Sequence, residues 1–227
     1  NVGARVTGIG DLRAEYLDDE LLHLLDGYEY VPSVTHEASV FDAVRRIQKR
    51  GPWVHRLEAV VEAHMLCAAR VREATGIPGV SYETTNLCRD KFVMKQYLRE
   101  HGIPCADNAV VDTAEDAINF VKKNGYPVII KPRAAAGAAG TSRIDNAADL
   151  ARAIDENGLE QGGAGLTMEE FISGHEGFYD TLTVGGNVVF EGISHYYPNV
   201  LTAMRTRETH ALIVTTNRHD APGYQPL

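Results

Sequence analysis

A run of β-branched residues that ends in lysine constrains this chain more than any other feature. Gly125 closes a helical segment, and Pro127-Val128-Ile129-Ile130-Lys131-Pro132 follows. Val128, Ile129 and Ile130 suit a buried strand, and a lysine at its end can leave the core and meet a ligand. Pro132 is expected to stop further ladder pairing. The segment 133–142 holds no large apolar side chain. Such a loop packs little and can move, and Gly137 and Gly140 permit positive φ and close backbone approach to an anion. It is not a Walker A loop, which would close on Gly-Lys-Ser/Thr.

A second informative stretch lies downstream, Met168-Glu169-Glu170-Phe171-Ile172-Ser173-Gly174-His175-Glu176. In a strand Glu169 and Phe171 share one face and Glu170 takes the other. Ser173-Gly174 supplies the turn that would let Glu176 come back toward the same ligand. A cation at a strand end, a loop free to approach an anion and a set of carboxylates are parts that can hold a nucleotide. The plainer alternative is a solvated lysine, a mobile surface turn and edge charges. Arg205 and Arg207 are candidate catalytic cations, because a guanidinium suits bidentate binding of a carboxylate or γ-phosphate.

Around these stretches the pattern alternates strand and helix. A strand is expected from Ala4 to Ile9, a helix over 17–25, a strand over 28–31 and a helix over 39–48 with Val40, Phe41, Val44 and Ile47 inward. A long helix with Leu57, Val60, Val61, Met65 and Ala68 on one face should stop at Gly76-Ile77-Pro78-Gly79. Gly8-Ile9-Gly10 reads as a strand-end turn, since Arg13 stands where a dinucleotide fingerprint needs glycine. Thr84, Thr85 or Asn86 can cap the helix that carries Lys91, Phe92, Met94 and Leu98. Asp112-Thr113-Ala114-Glu115 opens another as a capping box, and Asn146 caps a third. Gly185-Gly186-Asn187 joins two alternating strands, 178–184 and 188–193, as a hairpin. A final strand is expected over 211–215.

Composition excludes several classes. The 227 residues can bury a sizeable core. A formal net charge of −9 argues against a nucleic-acid-binding surface. No apolar run is long enough to span a bilayer. Cys67, Cys88 and Cys105 show no paired spacing, which suits a reducing, cytoplasmic setting. No CxxC or HExxH pattern marks a zinc site, and no solenoid-period repeat is present.

The order of parts resembles the ATP-grasp superfamily. The likeness rests on Asp90-Lys91, the Val128-to-Pro132 run, the Gly137/Gly140 loop and the segment 169–176, where the family reads roughly Glu-x-aromatic-Ile-x-Gly-x-Glu. It covers roughly residues 81–227. The resemblance implies an α/β fold with a pre-ATP-grasp α/β layer at 1–82, followed by α+β ATP-binding subdomains at 83–227 with a lid at about 106–172. It implies Lys91, Lys131, Gly137 and Gly140 for the ATP phosphates, Glu169 and the backbone near Ile172 for adenine, and Glu176 for ribose. ATP and Mg²⁺ are the implied cofactors.

The implied activity is that of an ATP-dependent ligase, which activates a small-molecule carboxylate as an acyl phosphate for attack by an amine or thiol. A bicarbonate-phosphorylating carboxylase and a non-catalytic nucleotide-binding module are the alternatives, and a homodimer is an open one. Two departures stand out: the loop is rich in alanine rather than glycine, and no late Glu-x-Asn motif supplies metal ligands, so the metal site is unassigned. The first residues read as a second strand rather than a first, which makes a piece of a longer enzyme the expectation.

Overall fold

The computed structural model describes residues 3–133, 140–162, 165–206, 210–218 and 221–224. The chain divides into two compact units, Asn1–Cys105 and Ala106–Leu227.

In the first unit, β1 (Thr7–Gly10) pairs in parallel with β2 (Gly27–Tyr30). Between them lies α1 (Asp19–Leu24), whose first turn is capped by the Asp18 carboxylate accepting from Glu20 N. Two longer helices, α2 (Glu37–Arg50) and α3 (Glu62–Thr75), bury Val40, Val44, Cys67 and Val71 against Ile77, with Ile9, Phe41 and Leu57 at the margin. The helix expected from Leu57 begins only at Glu62, and Val60 is 97% exposed. Buried Arg72 explains the delay: its guanidinium donates to the carbonyls of Leu57 (2.8 Å) and Val80 (2.8 Å). The Leu57 carbonyl thus meets a side chain, and both flanks of α3 are tied to its last turn.

The unit ends in α4 (Tyr82–Arg89) and α5 (Lys91–Glu100). Thr84, Thr85 and Asn86 lie inside α4, so they do not cap α5. That role falls to Asp90, whose side chain accepts from Phe92 N and Val93 N. One residue therefore ends one helix and starts the next, and Lys91 becomes the first residue of α5.

The second unit holds β3 (Asn108–Val111), α6 (Ala114–Asn124), β4 (Val128–Pro132), β5 (Ser142–Ile144), α7 (Ala147–Glu156) and β6 (Leu166–Glu170). The strands form one antiparallel sheet in the order β3-β6-β4-β5. Thr113 and Asp116 make the expected capping box on α6, and Asn146 caps α7. Pro132 does not stop the ladder before itself; it is the last β4 residue in register, opposite Leu166.

Period-two alternation divides this sheet sharply. Val111, Val128, Ile130, Ile144, Leu166 and Met168 point to one face, where Phe120 and Val121 of α6 and Leu150 of α7 close the core. Burying each such side chain contributes about 1.5–3 kcal/mol. Every second residue between them is turned to the opposite face, and that face carries the charged residues of interest.

A three-stranded antiparallel sheet completes the unit, from β7 (Gly177–Val184), β8 (Asn187–Tyr197) and β9 (Leu212–Thr216). The β7–β8 hairpin turns on Gly185 and Gly186, both at positive φ, as a two-residue primed turn requires. β8 runs on past Ile193 to Tyr197, further than its alternation suggests. Between β8 and β9 lies α8 (Val200–Thr206), a short helix of seven residues.

Candidate functional site

Lys131 and Glu169 come together on the sheet face opposite the helices. β4 delivers Lys131 and the neighbouring β6 delivers Glu169; the register Ile129↔Glu169 and Lys131↔Thr167 places them one diagonal step apart. Lys131 Nζ lies 2.6 Å from Glu169 Oε2, and the two side chains are 18% and 8% exposed. A pair this well shielded interacts more strongly than a surface pair, although desolvation offsets much of the attraction. Chemically it offers a cation for phosphate oxygens and, beside it, a carboxylate that can accept from an exocyclic amine. Glu170, on the other face, is structural: its carboxylate accepts from Asp107 N at 3.0 Å and ties down the start of β3.

The same face extends outward in both directions. Arg143, the middle residue of β5, is in register with Ile129, so Arg143, Ile129 and Glu169 form one row across three strands. Phe171 lies two residues beyond Glu169, and the Arg143 guanidinium carbon stands 4.1 Å from its ring centroid. Ile172 is 62% exposed just beyond.

Glu176 sits after the turn. Its carboxylate accepts from Val200 N at 2.7 Å, at the first turn of α8. Asn199 clamps the same turn, accepting from Glu176 N at 3.1 Å and donating to Gly174 O at 2.9 Å. Sequence reasoning missed Asn199 and Arg143; each works through a contact more than twenty residues away in the chain, which local pattern does not encode.

Gly140 has φ +68°, and a Cβ there would come within 3.0 Å of the Pro132 ring. Gly140 therefore packs directly against the strand end that bears Lys131. Lys91 belongs to the first unit, at the start of α5. Gly137 and Arg207 lie outside the described residues, and Arg205 is described only as backbone within α8.

Among the described residues no group of three or more His, Cys, Asp or Glu could hold a metal ion. A cleft of about 200 Å³ lies at the outer edge of β5 against α7, lined by Thr141, Ser142, Arg143, Asp149, Arg152 and Glu156. It excludes Lys131 and Glu169, and its arginines are engaged, Arg143 with Asp145 and Arg152 with Asp149. Lys131 and Glu169 therefore lie outside this cleft, while Arg143 borders it. No helix among the described residues is long and apolar enough to cross a membrane.

Residues 90–177 match the family model described as the ATP-binding domain of the carbamoyl-phosphate synthase L chain. The chain is 31% identical over 186 residues to an L-arginine-specific L-amino acid ligase of Bacillus subtilis, covering 80% of this chain and 45% of that protein. The chain thus spans under half the length of this relative. Its structure is similar to that of an L-amino acid ligase from Bacillus licheniformis, with TM-score 0.61, 24% identity and coverage of 76% and 40%. It is also similar to the biotin carboxylase domain of the 2-oxoglutarate carboxylase of Hydrogenobacter thermophilus, solved as a dimer with MgADP, ADP and bicarbonate. That likeness has TM-score 0.65, 19% identity and coverage of 91% and 50%.

Proposed function

Because this chain carries the ATP-grasp fold, we propose that it forms the nucleotide-binding part of an ATP-dependent ligase that joins a small-molecule carboxylate to an amine. The observation that carries the proposal is the shielded Lys131–Glu169 pair, set beside a glycine-bearing loop and followed by the turn to Glu176. The likeness to an L-arginine-specific L-amino acid ligase supports amino acids as the substrate class.

In this reading Lys131 and Lys91 neutralise the phosphates of ATP, and backbone amides of the loop around Gly137 and Gly140 close over them. Glu169 accepts from the adenine amino group, the backbone at Ile172 completes the base contact, and Glu176 takes the ribose hydroxyls. The substrate carboxylate oxygen attacks the γ-phosphorus, the bond to ADP breaks, and an acyl phosphate forms. The amine then attacks the acyl carbon, loses a proton and expels phosphate. Phosphoryl transfer asks the protein for positioning and charge stabilisation, and a closed loop keeps water from the acyl phosphate. Arg205 and Arg207 are assigned to the carboxylate or γ-phosphate.

Bound Mg²⁺ would supply further neutralisation of phosphate charge; the described residues offer no cluster of three or more His, Cys, Asp or Glu for it. Domains at 1–82 and 83–227, a lid at about 106–172, a cytoplasmic setting and homodimer formation belong to the same reading. A thiol nucleophile in place of the amine and a carboxylase that phosphorylates bicarbonate are the alternative readings.

Calorimetric titration with ATP and Mg²⁺, alongside Glu176→Ala, tests the nucleotide site. Saturable binding that weakens at least about tenfold in the variant, a change of about 1.4 kcal/mol, is expected. A folded wild-type chain that binds no nucleotide would overturn the reading.

A further inference from the structure

We propose that Arg143 is a positioning residue of the nucleotide site, holding the base-binding linker through the contact of its guanidinium with the face of the Phe171 ring. The inference rests on the nucleotide reading above and adds a residue to it.

Three observations converge on Arg143. First, the sheet register sets it in the Lys131-bearing face, in one row with Ile129 and Glu169. Second, its guanidinium carbon lies 4.1 Å from the Phe171 ring centroid. Third, Nε donates to Asp145 Oδ1 at 2.7 Å, which holds the guanidinium through its edge. The side chain is 31% exposed, so the contact is partly desolvated, the condition in which a cation–ring contact strengthens.

Its place in the chain gives the contact a consequence. Arg143 leaves the glycine-bearing loop three residues after Gly140, on an edge strand only three residues long. Phe171 directly precedes Ile172, whose backbone meets the base in the proposed function. The contact therefore joins the exit of the phosphate loop to the linker that receives adenine. Nothing in the ladder does this, because β6 ends at Glu170. Lysine would keep the charge but not the plane, so it is not an equivalent here.

The test is calorimetric titration of ADP, and separately of inorganic tripolyphosphate, into wild type, Arg143→Ala, Arg143→Lys, Phe171→Leu and the Arg143→Ala/Phe171→Leu double variant. Each single substitution is expected to weaken ADP binding about three- to tenfold, with lysine no better than alanine. The double variant should lose no more than the weaker single one, because both remove the same contact. Tripolyphosphate binding should stay within about twofold throughout, which also shows that the variants are folded.

Unchanged ADP binding in Arg143→Ala, full rescue by lysine, or additive losses would each overturn the proposal. Equal loss of tripolyphosphate would make Arg143 a phosphate contact and overturn it too. A wild type that binds neither ligand would sink the nucleotide reading itself. Wild-type binding with an indifferent Arg143→Ala sinks only the inference drawn here.

Discussion

Lys131 Nζ and Glu169 Oε2 stand 2.6 Å apart on adjacent strands, both side chains largely withdrawn from solvent. Removing the lysine alone would leave a shielded carboxylate without this cation, a change that costs about 3–5 kcal/mol. Lys131→Ala should therefore lose stability as well as nucleotide affinity, and lost binding by itself says little. The neutral pair Lys131→Met with Glu169→Gln separates the two effects. Denaturant unfolding should return to within about 1–2 kcal/mol of wild type, while ATP binding stays lost. A double variant as unstable as Lys131→Ala would mean that the charge imbalance is not what destabilises the single one.

Glu176 serves two purposes that can also be separated. Its carboxylate accepts from Val200 N, and it is the proposed ribose ligand. Glu176→Gln keeps an amide oxygen for Val200, so hydrogen exchange at that amide should remain slow. Glu176→Ala should speed it, since the net worth of a hydrogen bond to a charged group is about 1.5–3 kcal/mol. Both variants should bind ATP more weakly than wild type if the charge receives ribose. Asn199→Ala, which frees Gly174 O and Glu176 N from one side chain, should weaken ATP binding less than Glu176→Ala. The reverse order would move the ribose contact elsewhere.

The strand that carries Lys131 was legible because β-branched residues crowd into a short run bounded by proline. The carboxylate segment was legible because its spacing matches a family pattern. The pairing of Lys131 with Glu169 was not legible, since register between β4 and β6 depends on packing of the whole sheet against α6 and α7. Arg143 shows the same limit: its contact with Phe171 depends on β5 and β6 both pairing with β4 in one sheet. At Asp90 the difficulty was different. Thr84, Thr85, Asn86 and Asp90 are all good caps, and the choice fell to Asp90 because Ser81 had already started α4 with its own side chain. Leu57 looked helical on spacing, but buried Arg72 takes its carbonyl.

Two carboxylates of the second unit set an acid limit on stability. A hydrogen bond from Lys123 holds Asp107 below its ordinary value of 3.8, and hydrogen bonds from Thr113 do the same for Asp116. In each case the unfolded chain takes up its proton first as pH falls. The contribution is complete above the ordinary value and is lost as pH drops through the lower folded one. Urea unfolding between about pH 6 and pH 2.5 should show wild type losing stability below about pH 4. Asp107→Asn and Asp116→Asn should be less stable at the upper end and converge on wild type at the lower. The Lys123–Asp107 pair is open to solvent, so its share is expected to fade with salt. Parallel curves for wild type and variants would exclude these groups as the source.

Gly140 and Gly125 make a controlled comparison, because both have positive φ and both lie in the second unit. At Gly125, with φ +74°, an added Cβ meets nothing within 4 Å. Gly125→Ala should therefore cost only the backbone term, about 1–3 kcal/mol, because φ +74° with ψ −172° is a region essentially confined to glycine. At Gly140, with φ +68°, the same atom would lie 3.0 Å from Pro132 Cγ and 3.1 Å from Cδ. The proline ring cannot easily yield, since Pro132 is held in the β4 ladder opposite Leu166. The loop is then the part that must shift, away from the end of the strand that bears Lys131. Gly140→Ala should thus weaken tripolyphosphate and ATP binding while leaving adenosine binding near wild type. Gly125→Ala should leave all three affinities unchanged despite its lower stability. Equal effects of the two substitutions on tripolyphosphate would show that loop placement over Pro132 does not matter for the phosphate site.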